Sequence, residues 1–122
     1  MRLQESGEMY LESIYRLSQK SNTVRSVDIS EYMGYSKPSV SRGIGLLKNG
    51  GYVSVDDNGH LHLTDEGLEV AKKIYDRHNL LKGLLLRAGV SEEVATEDAC
   101  RIEHVISDET YLALKKYFVD NK

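Results

Sequence analysis

The lone cysteine of this chain, Cys100, lies three residues before Glu103 and four before His104. On a helix those offsets bring side chains onto one face. A thiolate, a carboxylate and an imidazole sharing a face are good donors for a divalent transition metal. Each also has a plainer reading. A lone helical cysteine commonly serves as a small buried hydrophobe, while Glu103 would be a solvated charge and His104 a hydrogen-bonded core histidine. Three further residues have side chains of the same kind: Met9, Glu12 and His78. By default Met9 fills a gap in a core, Glu12 is a surface charge, and His78 is a packed histidine on an apolar stripe. A metal joining all six would tie the segment near residue 10 to the helices beyond residue 64.

These residues must be positioned by a small chain. Its 122 residues suit one compact unit or two small subdomains. One cysteine cannot form an internal disulfide, which suits a reducing cytoplasm. No apolar run is long enough for a membrane span or a signal-peptide core, so a soluble, cytoplasmic protein with no membrane partner is expected. Net charge is −3, but it is unevenly spread. Residues 16–50 hold Arg16, Lys20, Arg25, Lys37, Arg42 and Lys48 against Asp28 and Glu31, a local balance of +4. The remainder carries ten basic and seventeen acidic residues, or −7. One segment is therefore suited to face phosphates while the rest is acidic. The plainer reading is a solvated basic face with no partner.

Hydrophobic spacing predicts a mainly α fold. Tyr10, Leu11, Ile14 and Leu17 mark a helix over 7–20. Ser26 is expected to cap a helix through Met33, with Val27 and Ile29 packing inward and Gly34 at its end. Ser36 caps the next helix, with Lys37 and Pro38 in its first turn and Val40, Ile44 and Leu47 buried. Two short helices joined at Gly34 make a helix-turn-helix. Two alternating segments follow, Tyr52–Val55 and His60–Leu63. A three-residue loop, Asp57 to Gly59, pairs Val55 with Leu61 and keeps the apolar sets on one face. This hairpin is a wing. Residues 1–63 thus read as a winged helix-turn-helix of three helices plus a β-hairpin, and 64–122 as a helical domain. In the latter, Thr64 caps a helix to about Ala88 with a stripe of Ala71, Ile74, His78, Leu81 and Leu85. Ser91 caps a helix to about Val105. Ser107 caps a last helix with Tyr111, Leu114 and Phe118 on one face.

In a helix-turn-helix the second helix enters the major groove. Its leading residues here are Ser36, Lys37, Pro38, Ser39, Ser41 and Arg42. Hydroxyls and cations suit phosphate oxygens. Arg42 can read guanine through a bidentate fork, and Pro38 can touch a thymine methyl. The rival is a winged helix used for protein contacts. Nothing resembles a nucleophile–base pair or a phosphate-cradling glycine loop, so an enzyme is not expected.

The order Glu8-Met9-Tyr10-Leu11, Ser36-Lys37-Pro38-Ser39-Val40-Ser41, Arg77-His78 and Asp98-Ala99-Cys100-Arg101-Ile102-Glu103-His104-Val105-Ile106-Ser107-Asp108-Glu109 resembles the diphtheria-toxin-repressor family of iron- and manganese-dependent transcriptional repressors. The resemblance spans nearly the whole chain. It implies a DNA-binding winged helix followed by a helical metal-binding and dimerisation domain, without the SH3-like third domain common in the iron branch. It implies a primary metal site of Met9, Cys100, Glu103 and His104. Fe2+ or Mn2+ is the expected ion, and Zn2+, Co2+ or Ni2+ can substitute. The iron branch's ancillary site matches His78, but its other helical ligands fall at Lys82 and Thr96, which are not credible replacements. Glu12 instead matches a ligand of the manganese branch, so Glu12 and His78, sharing Cys100 or Glu103, would form a second site. Arg25 is the nearest match to the arginines flanking the reader in the iron branch.

The expected protein is a homodimeric, metal-activated repressor of metal-homeostasis genes that binds a double-stranded palindromic operator. One alternative is a redox-sensing winged-helix regulator using Cys100, weakened by the lack of a second thiol. The other is a winged-helix interaction module that binds no DNA.

Overall fold

The structure is a computed structural model that describes residues 5–120. It is mainly helical, with one two-stranded antiparallel sheet. The elements run α1 (Glu5–Ser18), α2 (Ser26–Met33), α3 (Lys37–Asn49), β1 (Val53–Val55), β2 (Leu61–Leu63), α4 (Asp65–Arg87), α5 (Glu92–Ile102) and α6 (Asp108–Asp120). The chain divides into two compact units, Met1–Lys72 and Lys73–Lys122, so the division falls inside α4. Among the described residues no helix is long and apolar enough to cross a membrane.

The first unit is built on α1, whose Leu11 and Ile14 are fully buried alongside Ile29 of α2 and Val40 of α3. Gly34 adopts φ 71°, a left-handed conformation that ends α2 and lets α3 begin three residues later. Ser36 caps α3 by accepting from the Ser39 N–H at 3.3 Å. Val40, Ile44 and Leu47 form its buried stripe, as their spacing predicts.

Two details of α2 differ from expectation. Ser26 is its first helical residue rather than its cap, and Arg25 takes the cap position. The reason is Asp28, whose carboxylate accepts from the Arg25 backbone N–H at 2.9 Å and so starts the helix one residue earlier. Val27 is exposed, and Val24 is buried in its place. The carbonyl of Val24 accepts from the Leu61 N–H at 2.7 Å, which pins this loop residue against the wing.

The wing has the predicted register, with Val53 opposite Leu63 and Val55 opposite Leu61. Gly59 supplies the positive φ, 79°, that closes the loop. Asp56 organises it. One carboxylate oxygen accepts from the N–H groups of Asn58 and His60, both at 2.9 Å, and the other lies 3.0 Å from His62 Nε2. Together, with His62 contributing most, these hold the Asp56 carboxyl down at about 2. Thr64 then caps α4, accepting from the Gly67 N–H at 3.1 Å and donating to the Gly51 carbonyl at 2.7 Å.

The second unit contains the rest of α4 with α5 and α6. Ile74, Arg77, His78 and Leu81 are buried on α4, Ala95 and Ala99 on α5, and Tyr111 on α6. Ser91 and Ser107 hold their expected cap positions, each accepting from the N–H three residues on. However, α5 stops at Ile102 instead of continuing to about Val105. The Arg77 guanidinium holds the turn that follows, donating to the carbonyls of Glu103 and Ile106 at 3.4 and 2.9 Å.

A Cβ built on Gly67 meets the Tyr52 carbonyl oxygen at 2.0 Å, whereas one built on Gly45 meets nothing within 4 Å. Gly67→Ala is therefore expected to destabilise the protein by about 1–3 kcal/mol. Gly45→Ala should stabilise it by about 0.5–1 kcal/mol, since Gly45 sits mid-helix. Urea unfolding of the two variants checks both signs. For the wing, a depressed Asp56 pKa means its ordering effect is present above the ordinary value of 3.8 and is lost as pH falls through about 2. Carboxyl NMR titration is expected to place the Asp56 midpoint near that value, with amide protection at Asn58 and His60 disappearing over the same interval.

Candidate metal centre and nucleic-acid face

Within the second unit, three donors of different kinds converge. His78 comes from α4, Cys100 from the last turn of α5, and Glu103 from the residue that caps α5. One ligand atom from each lies within 4.8 Å of the other two. His78 Nδ1 is 2.8 Å from Glu103 Oε2 and 3.7 Å from Cys100 Sγ. His104 Nε2 lies 3.2 Å from the other oxygen of Glu103. The Glu103 and His104 side chains are 0% and 1% exposed, and that of His78 is 5% exposed.

The electrostatics follow from this burial. An isolated buried carboxylate is costly, so Glu103 needs compensating positive charge. His78 provides it: the neighbouring Cys100 thiol and the Glu103 carboxylate raise its imidazole to about 9, against the burial that lowers it. A divalent cation would supply the same compensation to a sulfur, nitrogen and oxygen donor set suited to a transition metal. The residues present therefore fit such an ion.

The other expected ligands lie in the first unit. Met9 is a half-buried residue of α1. Glu12 is buried, and its Oε2 accepts from Arg16 Nη2 at 2.9 Å. The two positions set aside as poor ligands are engaged elsewhere. Lys82 Nζ lies 3.6 Å from Glu92 Oε1, and Thr96 Oγ1 donates to the Glu92 carbonyl at 2.8 Å.

Glu103 and His104 lie where α5 ends, Glu103 keeping helical backbone angles as its C-cap. They follow the last helical residue of α5, and only Cys100 is within the helix. The sequence reading also passed over Arg77, which is buried at 5% exposure. Its signal was available, because Ile74, Arg77 and Leu81 keep a three-then-four spacing on one face. A basic residue at such a position requires buried acceptors.

In the first unit, the leading residues of α3 form an open polar surface. Ser36, Lys37, Pro38, Ser39, Ser41 and Arg42 are all exposed, while Val40 between them is buried. The helix is seated by Tyr10, whose hydroxyl donates to the Ser39 carbonyl at 3.4 Å. Gly43 allows this approach, since a Cβ there would meet the Tyr10 ring at 2.4 Å. Arg25 is exposed and its Nη2 lies 3.4 Å from His60 Nε2 in the wing. Such donors can meet phosphates and base edges.

Comparison with known proteins places both halves of this description. Residues 2–61 match the N-terminal DNA binding domain of the iron dependent repressors, and residues 64–120 match their metal binding and dimerisation domain. An HTH-type transcriptional regulator of Methanocaldococcus jannaschii is 33% identical over 115 residues, covering 93% of this chain and 92% of that protein. The iron-dependent repressor IdeR of Mycobacterium tuberculosis is 33% identical over 115 residues, covering 93% of this chain and 50% of its own. The solved structure of the manganese regulator SloR superposes with a TM-score of 0.83 at 29% identity, covering 92% of this chain and 53% of that one. The chain thus spans about half the length of the last two proteins. With both of its domains matched in order, the chain belongs to the iron-dependent repressor family of metal-dependent, DNA-binding transcriptional regulators.

Proposed function

We propose that this protein is a cytoplasmic, homodimeric repressor that binds a palindromic operator when loaded with Fe2+ or Mn2+ and controls metal-homeostasis genes. The observation that carries this reading is the His78–Cys100–Glu103 cluster, its imidazole and carboxylate buried and its thiol half-buried, in the domain that matches the family's metal-binding model.

Cys100, Glu103 and His104 would hold the primary ion, and His78 would serve a second site that shares Cys100 or Glu103. Met9 and Glu12, on α1, are proposed as the further ligands on the family resemblance alone. When bound, the ion supplies a double positive charge that replaces protons on the donors and fixes their separation. The chain's own part is to present them deprotonated. Cys100 must ligate as thiolate, and His78 must release the proton that Cys100 and Glu103 favour on it. Loading is therefore coupled to proton release.

On the DNA side, the Ser36, Ser39 and Ser41 hydroxyls and Lys37 would meet phosphates, and Arg42 would face base edges. Arg25 and the wing would meet the flanking backbone. Two copies present two such helices, which suits half-sites about one helical turn apart. The ion acts as a ligand preferring the DNA-competent state, so operator DNA must tighten metal binding in return.

Operator binding titrated anaerobically with Fe2+, Mn2+ and Zn2+ at fixed salt tests this. Retention of operator DNA is expected only with metal, and Cys100→Ala combined with Glu103→Ala should abolish it. Retention without metal, or retention that survives the double substitution, would sink the reading. Replacing Met9 or Glu12 with Ala should raise the metal concentration needed. Arg42→Ala is expected to cost about 1–3 kcal/mol of operator affinity and to relax discrimination at one base. Lys37→Ala should weaken binding to all sequences and lower the salt slope by about 1.

A further inference from the structure

We propose that Arg77 is a positioning residue for the metal centre, clamping the turn from Glu103 to Asp108 so that Glu103 and His104 converge on one ion. This rests on the function proposed above.

The convergence itself needs explaining. Cys100, Glu103 and His104 keep the offsets of three and four that share a helical face, and Glu103, which caps α5, keeps helical backbone angles with its N–H donating to the Ala99 carbonyl at 3.0 Å. His104 Nε2 and Glu103 Oε1 approach to 3.2 Å in the turn that follows α5, so whatever holds that turn holds the two ligands together. The turn is held by the Arg77 fork. Nη1 donates to the carbonyls of Glu103 and Ile106, and Nη2 donates to the Asp108 carboxylate. The acceptors span the whole turn. Lys73 Nζ, 2.9 Å from the same Asp108 oxygen, reinforces its far end. The guanidinium lies over the Tyr111 ring, 5.2 Å from its centroid, which fixes its plane.

A guanidinium is suited to this position. The end of a helix carries partial negative charge and unsatisfied carbonyls. A planar fork with several donors reaches two carbonyls and a carboxylate at once, which a single ammonium point charge cannot do in the same geometry. Arg77 also adjoins His78. From two successive residues of α4, one side chain holds the turn's backbone and the other meets the turn's carboxylate. The clamp and a ligand therefore share one rigid helix.

The test uses the full chain with Co2+ as the probe, titrated anaerobically while following thiolate-to-cobalt charge-transfer absorption. Arg77→Met keeps the aliphatic stem and removes every donor. It is expected to bind Co2+ about 10–100-fold more weakly than wild type, with Arg77→Lys intermediate. Amide exchange over residues 103–107 of the metal-free protein should quicken in Arg77→Met while that of α4 is unchanged. Wild-type Co2+ affinity in a folded Arg77→Met overturns the proposal. If that variant does not fold, Asp108→Ala, which releases one arm of the fork at an exposed residue, decides. A several-fold weaker Co2+ affinity supports the clamp, and unchanged affinity overturns it. Failure of the wild-type protein to bind Co2+ would overturn the metal reading itself and this inference with it, a result distinct from loss in the variants alone.

Discussion

A carboxylate with no solvent exposure, Glu103, sets the terms for the second unit. Water cannot stabilise its charge, so the protein must surround it with donors. Its side chain lies against His78 on one oxygen and His104 on the other. Its carbonyl accepts from Arg77. Three cationic or potentially cationic groups thus converge on one residue from α4 and from the turn after α5. Removing any of them would leave a buried charge or a buried carbonyl less well satisfied. The polar cluster specifies how these elements meet, and the buried Ala95 and Ala99 of α5 only permit close approach.

The first unit reverses this arrangement. Its core is apolar, from Leu11 and Ile14 of α1 through Ile29, Val40 and Ala71. The chemistry lies outside, on the exposed first turns of α3. A reading surface must be solvated before it meets a nucleic acid, so its rigidity has to come from beneath. Ser36 spends its hydroxyl on the Ser39 hydroxyl and accepts the Ser39 N–H, while Tyr10 packs under Gly43. α4 belongs to both units. Its first turn holds Gly67 against Tyr52, and its later turns carry Arg77 and His78.

Much of this architecture was legible in the sequence because its signals are local. Gly34 and Gly59 mark backbone that needs positive φ, and Ser36, Thr64, Ser91 and Ser107 mark helix starts. The wing register followed from requiring Val55 and Leu61 to share a face. One difference is local, since Asp28 moves the cap of α2 to Arg25, and others involve distant residues. Val24 is buried because Leu61, thirty-seven positions away, takes its carbonyl. α5 stops at Ile102, and Arg77, on another helix, holds the turn that follows it. The His78–Cys100–Glu103 meeting was suggested by residue type and family resemblance. Spacing along one helix could not supply it, because His78 comes from a different element.

The neighbourhood of Glu92 bears on which ions the chain can hold. In the iron branch, positions corresponding to Lys82 and Thr96 would join His78 around an ancillary ion. Here the Lys82 ammonium lies near the Glu92 carboxylate and the Thr96 hydroxyl donates to the Glu92 carbonyl. An ammonium at that place repels a cation, and a back-bonded threonine offers its hydroxyl to its own helix. The exposed Lys82–Glu92 pair contributes little to stability, so its consequence is mainly electrostatic. His78 then has its Nδ1 directed at Glu103 and Cys100. This makes the donor set a mixture of one thiolate, imidazole nitrogens and carboxylate oxygens. Sulfur favours Fe2+ over Mn2+ on softness, whereas carboxylates favour Mn2+. Intrinsic affinity rises toward Zn2+ at any such site, so discrimination between Fe2+ and Mn2+ must come from geometry and from the metal available.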